Sequence, residues 1–578
     1  MRVRRSRSRI GPVVLIVFAA VIAFTIRLVD IQVVSASSLT AAAAEKRAHE
    51  ALVYGARGNI IDANGAVLAD SVERYSITLS PRVALGSVDN YGPIEPKLQE
   101  IAKITGQDPA QLMMTIMSDP ESDYAVLSEN LTLDQYEAID ALDIAWLYAV
   151  RVPSRSYPNG AIAGNIIGFL GKDEPLAGIE RSEDQCLAGQ DGLVSYERSE
   201  DGVRIPGTEV TEVPAKDGGT LQLTIDRDLQ WYVQERAAKA ALEFNAVWAE
   251  AIVVRIADGA VMAVTDWPTV DPNNFSAADP SATGSRAFAI PYEPGSIMKP
   301  FTMAMVLDRG LATPSTPMYS PPQMDFGGDA GVLNDWGGHE ANLTMAGVLA
   351  VSSNTGTAQF ATMLDEDTRY EYMEKFGFGS ATAIDFSGES DGYLPPTQDW
   401  DPRTTLNISF GQGVSTTIAQ MGSAFQALGN QGLRLPLKLV ESCTLADGTV
   451  IEPERGEAVQ AVSSTAAQQT VHMMEMVYKY GGVRDDLAIP GYRIAAKSGT
   501  AQWAEDDGSG YKDKTVISYA GIVPADQPQY AIVVSLGMTY QAKSSWLATT
   551  LRDIASETLT TFRVMPSGTE VPDIPINY

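Results

Sequence analysis

Tyr292-Glu-Pro-Gly-Ser-Ile-Met-Lys-Pro300 is the stretch that decides how the rest of the chain is understood. Pro294-Gly295 bends the backbone, and good helix formers then run from Phe301 to Asp308 before Gly310, a left-handed terminator. Ser296 is therefore expected at a helix start. Residues three apart share a helix face, so the Ser296 hydroxyl and the Lys299 amine can meet, while the unpaired N–H groups of the helix start face any developing anion. Pro300 suits the first turn, where a missing N–H costs no intrahelical bond. The pattern describes a nucleophile beside a base.

Taken alone, S-x-x-K arises about once by chance in such a chain. A second copy, Ser509-Gly-Tyr-Lys512, overlaps the acidic, glycine-containing run Glu505–Gly510 without a helix start, and reads as a chance match. Discrimination comes from partners. Ser352-Ser-Asn354, followed by Thr355-Gly356, lies downstream, and Lys497-Ser-Gly-Thr500 follows the apolar run Tyr492-Arg-Ile-Ala-Ala496. The ordered trio resembles the S-x-x-K, S-D-N and K-T-G signature of the penicillin-recognising serine acyltransferases, with Ser353 and Ser498 as departures.

Composition limits the alternatives. With 45% hydrophobic and 20% charged residues, a chain of 578 residues is globular and long enough for more than one domain. A net charge of −30 argues against nucleic acid, whose binders need clustered Lys and Arg. Cys186 and Cys443 support neither a disulfide framework nor a cysteine zinc site, and whether they pair is open. His49, His339 and His472 lack H-x-x-x-H spacing and no G-x-S-x-G occurs, so no metal and no cofactor is expected.

From the N-terminus, five arginines within Met1–Arg9 precede an uncharged apolar run from Ile10 to Ile26, extended by Leu28 and Val29. That length spans a bilayer of about 30 Å, Arg27 can snorkel, and the basic flank keeps the N-terminus cytoplasmic with the bulk of the chain extracytoplasmic. The alternative is a cleaved signal peptide, with Val34-Ser-Ala-Ser37 as a cleavage site. Against it, Ser38 to His49 reads as an Ala-rich helical stalk. Arg57-Gly-Asn-Ile-Ile-Asp-Ala-Asn-Gly-Ala-Val-Leu-Ala69 predicts a hairpin about Asn64-Gly65, then a third strand from Tyr75 to Leu79. Helices are expected at Leu98–Ile104, Asp108–Ser118 and Leu133–Leu142.

The hairpin motif resembles the pedestal opening of class B penicillin-binding proteins, as do Arg155-x-Tyr-Pro, Tyr157-Pro-Asn-Gly160 with Gly164, Gly168 and Gly171, and Gly178-Ile-Glu180. Turn-rich Ile205-Pro-Gly207 and Ala215-Lys-Asp-Gly-Gly219 mark a boundary before a catalytic domain. There a helix is expected over Asp228–Phe244, strands at Ala251–Ile256, Ala260–Val264, Tyr519–Pro524 and Tyr530–Leu536, and a terminal helix over Leu547–Phe562. Phe410-Gly-Gln-Gly413 resembles a family segment. After Leu536 the resemblance weakens, leaving one wall of the site undefined. The expected fold is α+β: residues 1–9 a cytoplasmic basic tail, 10–34 a transmembrane helix, 35–219 a mixed pedestal (dimerisation-type) domain, 220–565 a transpeptidase domain with a central antiparallel sheet flanked by helices, and 566–578 a tail.

Chemically, Ser296 needs a base, and burial plus the nearby charge of Lys497 would depress Lys299 until it serves. The resemblance implies that Ser352 relays a proton to the leaving amine, that Asn354 bonds Lys299 and the substrate amide, and that cationic Lys497 with Ser498 and Thr500 holds the donor carboxylate. Gly499 would let a bound peptide approach the strand edge, and the N–H groups of Ser296 and Thr500 would form the oxyanion hole. It further implies a D,D-transpeptidase that cross-links peptidoglycan stem peptides, binds β-lactams, and serves cell division more than lateral-wall growth, with a separate membrane glycan polymerase and other division proteins as partners. Arg27 and Asp30 are candidates for that contact. The rivals are a D-Ala-D-Ala carboxypeptidase, a lateral-wall (elongation) transpeptidase, and a β-lactam sensor or non-catalytic scaffold, the last disfavoured by three intact motifs.

Overall fold

The computed structural model describes residues 7–38, 48–86, 92–172, 174–197, 207–504 and 511–578. They fall into two compact units, one of Met1–Ala56 with Gly189–Asp217, the other of Arg57–Ala188 with Gly218–Tyr578.

In the first unit, helix Arg7–Val29 passes into a wider π-helical turn, Asp30–Val34. The segment Ile10–Val34 has a mean hydropathy of 2.6 and is long and apolar enough to cross a membrane. Arg27 pairs with Asp30 at 2.6 Å. Residues 36–38 are helical, but 39–47 lie outside the described residues and Ala48–Val53 is a strand, so the expected helical stalk does not extend to His49. That strand pairs with Gly192–Glu197, which pairs in turn with Val210–Val213. Met1–Ser6 and the first two residues of the Ile205-Pro-Gly207 turn are also outside the described residues.

The second unit begins with the hairpin about Asn64-Gly65, where Gly65 has φ +86°. Its second strand is longer than expected: Val67–Leu79 is continuous because Leu147–Ser156 pairs along it from Asp70↔Ser156 to Leu79↔Leu147, so Tyr75–Leu79 is not a separate strand. Helices Ile94–Thr105, Pro109–Met117 and Leu133–Asp140 bury Leu98, Ile101, Leu112, Ile116 and Ile139 against it. Asp108 caps the second helix and Thr132 forms a capping box with Gln135 on the third. Strand Ile60–Ile61 also pairs in parallel with Thr220–Leu223, which pairs with Val440–Thr444, so this sheet continues across residue 219. Cys186 and Cys443 are joined in a disulfide, the pairing that sequence left open.

The pedestal motifs meet at one carboxylate. Glu180, fully buried, accepts from Arg57 and Arg155 at 2.6 Å each and from the Tyr157 hydroxyl at 3.2 Å. Arg57 also reaches Asp184 at 2.5 Å. Burying a carboxylate is tolerable only with such partners, and here R-G, R-x-Y-P and G-I-E supply them together.

The central sheet holds β1 (Trp248–Arg255), β2 (Val261–Trp267), β3 (Ala495–Ala504), β4 (Tyr511–Val523) and β5 (Tyr530–Met538), in the antiparallel order β2-β1-β5-β4-β3. Every residue of β5 is buried, as a continuous apolar strand between two helical layers must be. On one face lie Arg227–Glu243, capped by Asp226 and packed through Leu229, Val233, Ala237 and Ala241, and Ala548–Thr561. Ile418–Gly429 covers the other. Among the described residues β3 pairs only with β4, so it is an edge strand, and it carries Lys497.

Candidate active site

Gly295–Met298 forms a 3-10 turn that leads into helix α1 (Lys299–Asp308). Ser296 therefore lies in the turn ahead of the helix, Pro300 is in the first helical turn, and Gly310 follows with φ +65°. Backbone packing fixes that turn. Gly295 has φ +58°, donates its N–H to the Gly411 carbonyl at 2.9 Å, and would place a Cβ 2.6 Å from the Thr500 carbonyl oxygen. Phe410-Gly-Gln-Gly413 thus braces the Ser296 turn. A Cβ on Gly499 would stand 2.9 Å from the Pro294 carbonyl oxygen and 3.1 Å from the Ile297 nitrogen. The bare α-carbon of Gly499 therefore makes room for the serine turn. Beneath it, Ser518 pairs with Gly499 across the sheet and bonds Ser535 at 2.9 Å, and Ser535 bonds the Tyr292 hydroxyl at 2.7 Å.

Helix α2 (Met345–Ala350) and helix α3 (Asn354–Ala361) flank the second motif. Between them Ser352 adopts φ +62°, a conformation costing a non-glycine residue about 1–2 kcal/mol and tolerated where surroundings enforce it. Its carbonyl accepts from Lys299 Nζ at 2.5 Å, and its Oγ lies 3.3 Å from Lys299 Nζ and 2.8 Å from Lys497 Nζ. Lys497 also donates to the Ser498 carbonyl at 2.8 Å. Asn354 does not bond Lys299: its amide donates to the Asn334 carbonyl at 3.0 Å. Ser353 caps α3, accepting from the Gly356 N–H at 3.0 Å. The chain after Leu536 reaches the site as well. The Ile576 carbonyl accepts the Thr344 N–H at 3.0 Å and occupies the space a Cβ on Gly347 would fill, bracing α2 from behind.

Lys299 and Lys497 are both wholly buried. Burial pulls the Lys299 amine down to about 7, against an opposing pull from Asp335. Lys497 is driven well below the usual lysine range, by burial first and then by Lys299. This differs from the expectation of a cationic Lys497: a buried amine beside a second amine disfavours its own charge. The expected push of Lys497 on Lys299 is not among the causes that lower Lys299. Helix α4 (Ser464–Tyr480) packs against α1, α2 and β3 together, so the three motifs share one support. The second S-x-x-K has its Ser509 outside the described residues. Asp335, which no motif singles out, accepts the N–H groups of Asn354 and Thr355.

Residues 250–556 match the model of the penicillin-binding protein transpeptidase domain, and residues 52–175 that of the penicillin-binding protein dimerisation domain. The chain belongs to the penicillin-binding proteins. As a penicillin-binding protein it is 32% identical to penicillin-binding protein PbpB of Mycolicibacterium smegmatis over 562 residues, covering 91% of this chain and 86% of that one. It is 29% identical to peptidoglycan D,D-transpeptidase FtsI of Escherichia coli over 485 residues, covering 83% and 79%. The crystal structure of penicillin-binding protein 3 from Mycobacterium tuberculosis complexed with aztreonam superposes with a TM-score of 0.70 at 26% identity, over 91% of this chain and 100% of that one.

Proposed function

We propose that this penicillin-binding protein is a serine D,D-transpeptidase that cross-links peptidoglycan stem peptides through an acyl-enzyme on Ser296. One observation carries the reading: the Ser352 hydroxyl bridges two buried lysines beside the serine turn, the arrangement a proton relay needs. Ser296 Oγ attacks the carbonyl between the last two residues of the donor peptide as neutral Lys299 takes its proton. The N–H groups of Ser296 and Thr500 face the oxyanion. Ser352 passes the proton on, the C–N bond breaks and the terminal amino acid leaves. An acceptor amine then attacks the ester and restores Ser296. Lys497, with Ser498 and Thr500, holds the donor carboxylate, an anion that restores the charge burial removes. Asn354 contacts the substrate amide, and the donor pairs along the free edge of β3 beside Gly499.

The name of the Escherichia coli relative supports this substrate class, and the aztreonam complex of a structural relative supports β-lactams as inhibitors. The apolar helix is the single membrane span, with the N-terminus cytoplasmic. A disulfide in the second unit supports an oxidising, extracytoplasmic setting for the pedestal (35–219) and transpeptidase domain (220–565). The pedestal motifs and relatives favour septal synthesis, alongside a membrane glycan polymerase that docks on the span near Arg27 and Asp30. A donor peptide ending in D-Ala-D-Ala, supplied with an amine acceptor, tests the reaction: the cross-linked product is expected, and hydrolysis alone would make the protein a carboxypeptidase.

A further inference from the structure

Asp335 and His339 take no part in the steps above, yet they stand directly behind them. The Asp335 side chain is 2% exposed. On Oδ1 it accepts the N–H groups of Asn354 at 2.5 Å and Thr355 at 3.1 Å, and on Oδ2 the Ser353 hydroxyl at 2.7 Å. Three consecutive residues, beginning next to Ser352, thus hang on one carboxylate. His339 Nε2 lies 2.6 Å from the same Oδ2, and its Nδ1 lies 2.8 Å from the Glu340 carbonyl oxygen. A carbonyl oxygen can only accept, and the Asp335 carboxylate already accepts from three donors. Both ring nitrogens therefore face acceptor oxygens, an arrangement that a ring donating from both would satisfy.

We propose that Asp335 and His339 are a positioning pair for the reaction: the carboxylate fixes Ser352 and Asn354 through the start of α3, and the imidazolium offsets its charge so that Lys299 can give up its proton and act as base. The pair rests on the reading of Lys299 as base. Without His339, a bare anion behind Ser352 would hold a proton on Lys299; without Asp335, the N–H groups at the start of α3 lose their acceptor. Of the charged groups around them, Lys497 shares Ser352 with Lys299, Glu340 is exposed, and Arg403 donates to the Ala330 and Val332 carbonyls.

The test is the rate of acylation by a fluorescent penicillin, measured on the full chain in detergent across roughly pH 5 to 9. His339→Gln should move the rising limb to higher pH by roughly half a unit or more. Asp335→Asn should move it to lower pH while lowering the plateau, and adding Asp335→Asn to His339→Gln should reverse the upward shift. A lowered plateau with an unmoved limb in His339→Gln means a merely structural contact and overturns the proposal. Nitrogen-15 spectra of the unsubstituted protein give a second check that does not depend on variants folding: the His339 ring should carry protons on both nitrogens at neutral pH, and a single-proton ring overturns the pair. Loss of all labelling in the unsubstituted chain would instead defeat the transpeptidase reading itself.

Discussion

Lys299 and Lys497 converge on one hydroxyl, with their amines 3.3 and 2.8 Å from Ser352 Oγ. Burial lowers both amines, and the neighbouring Lys299 lowers Lys497 further. Their duties differ nonetheless. Lys299→Arg puts a permanent cation where a base is required, and acylation should fall by about 10²–10⁴. Lys497→Arg keeps a cation for the donor carboxylate and should cost less. Equal losses in acylation rate for the two variants would contradict this division.

The lowered Lys299 amine sets a pH dependence. At pH values below about 7 it is protonated and cannot accept the Ser296 proton; above it the neutral amine is present. The acylation rate should therefore rise with pH through that value. Stopped-flow acylation that is flat across the range, or falls as pH rises, would show that another group is the base.

Gly499→Ala should damage the serine turn directly, because its Cβ would press on the Pro294 carbonyl oxygen at 2.9 Å. Acylation by penicillin and by peptide donors should fall together, by about tenfold or more, as expected for a displaced reacting atom. A loss confined to peptide donors would restore the view that the bare α-carbon serves the bound chain.

Glu180 is a matter of stability, not chemistry. Glu180→Ala leaves Arg155 buried without its carboxylate and Arg57 with Asp184 alone, and should cost about 3–5 kcal/mol in chemical denaturation. Penicillin should still label Ser296 in the folded fraction. Full stability in the variant would dismiss the buried node.

Much of this was legible before any coordinates. The helix from Phe301 to Asp308, the hairpin about Asn64-Gly65 and the buried strand from Tyr530 follow from local signals, namely turn glycines, caps and apolar runs. The site needed three motifs read together, since each is short enough to occur by chance. What stayed hidden depends on long-range contact. Nothing local marks Asp335 as the acceptor for Asn354, or Ile576 as the brace of α2, because their partners are distant in sequence. The close approach of Gly499 to Pro294 was hidden too, because a missing Cβ does not say what fills its place. The disulfide could not be read from two cysteines so far apart.

The most direct test of the central claim is the site of covalent attachment. The full chain, incubated with a fluorescent penicillin, digested and mapped by mass spectrometry, should carry the acyl group on Ser296, and Ser296→Ala should carry none. Label on Ser509 or any other residue, or labelling that survives Ser296→Ala, would contradict the assignment of Ser296 as the nucleophile.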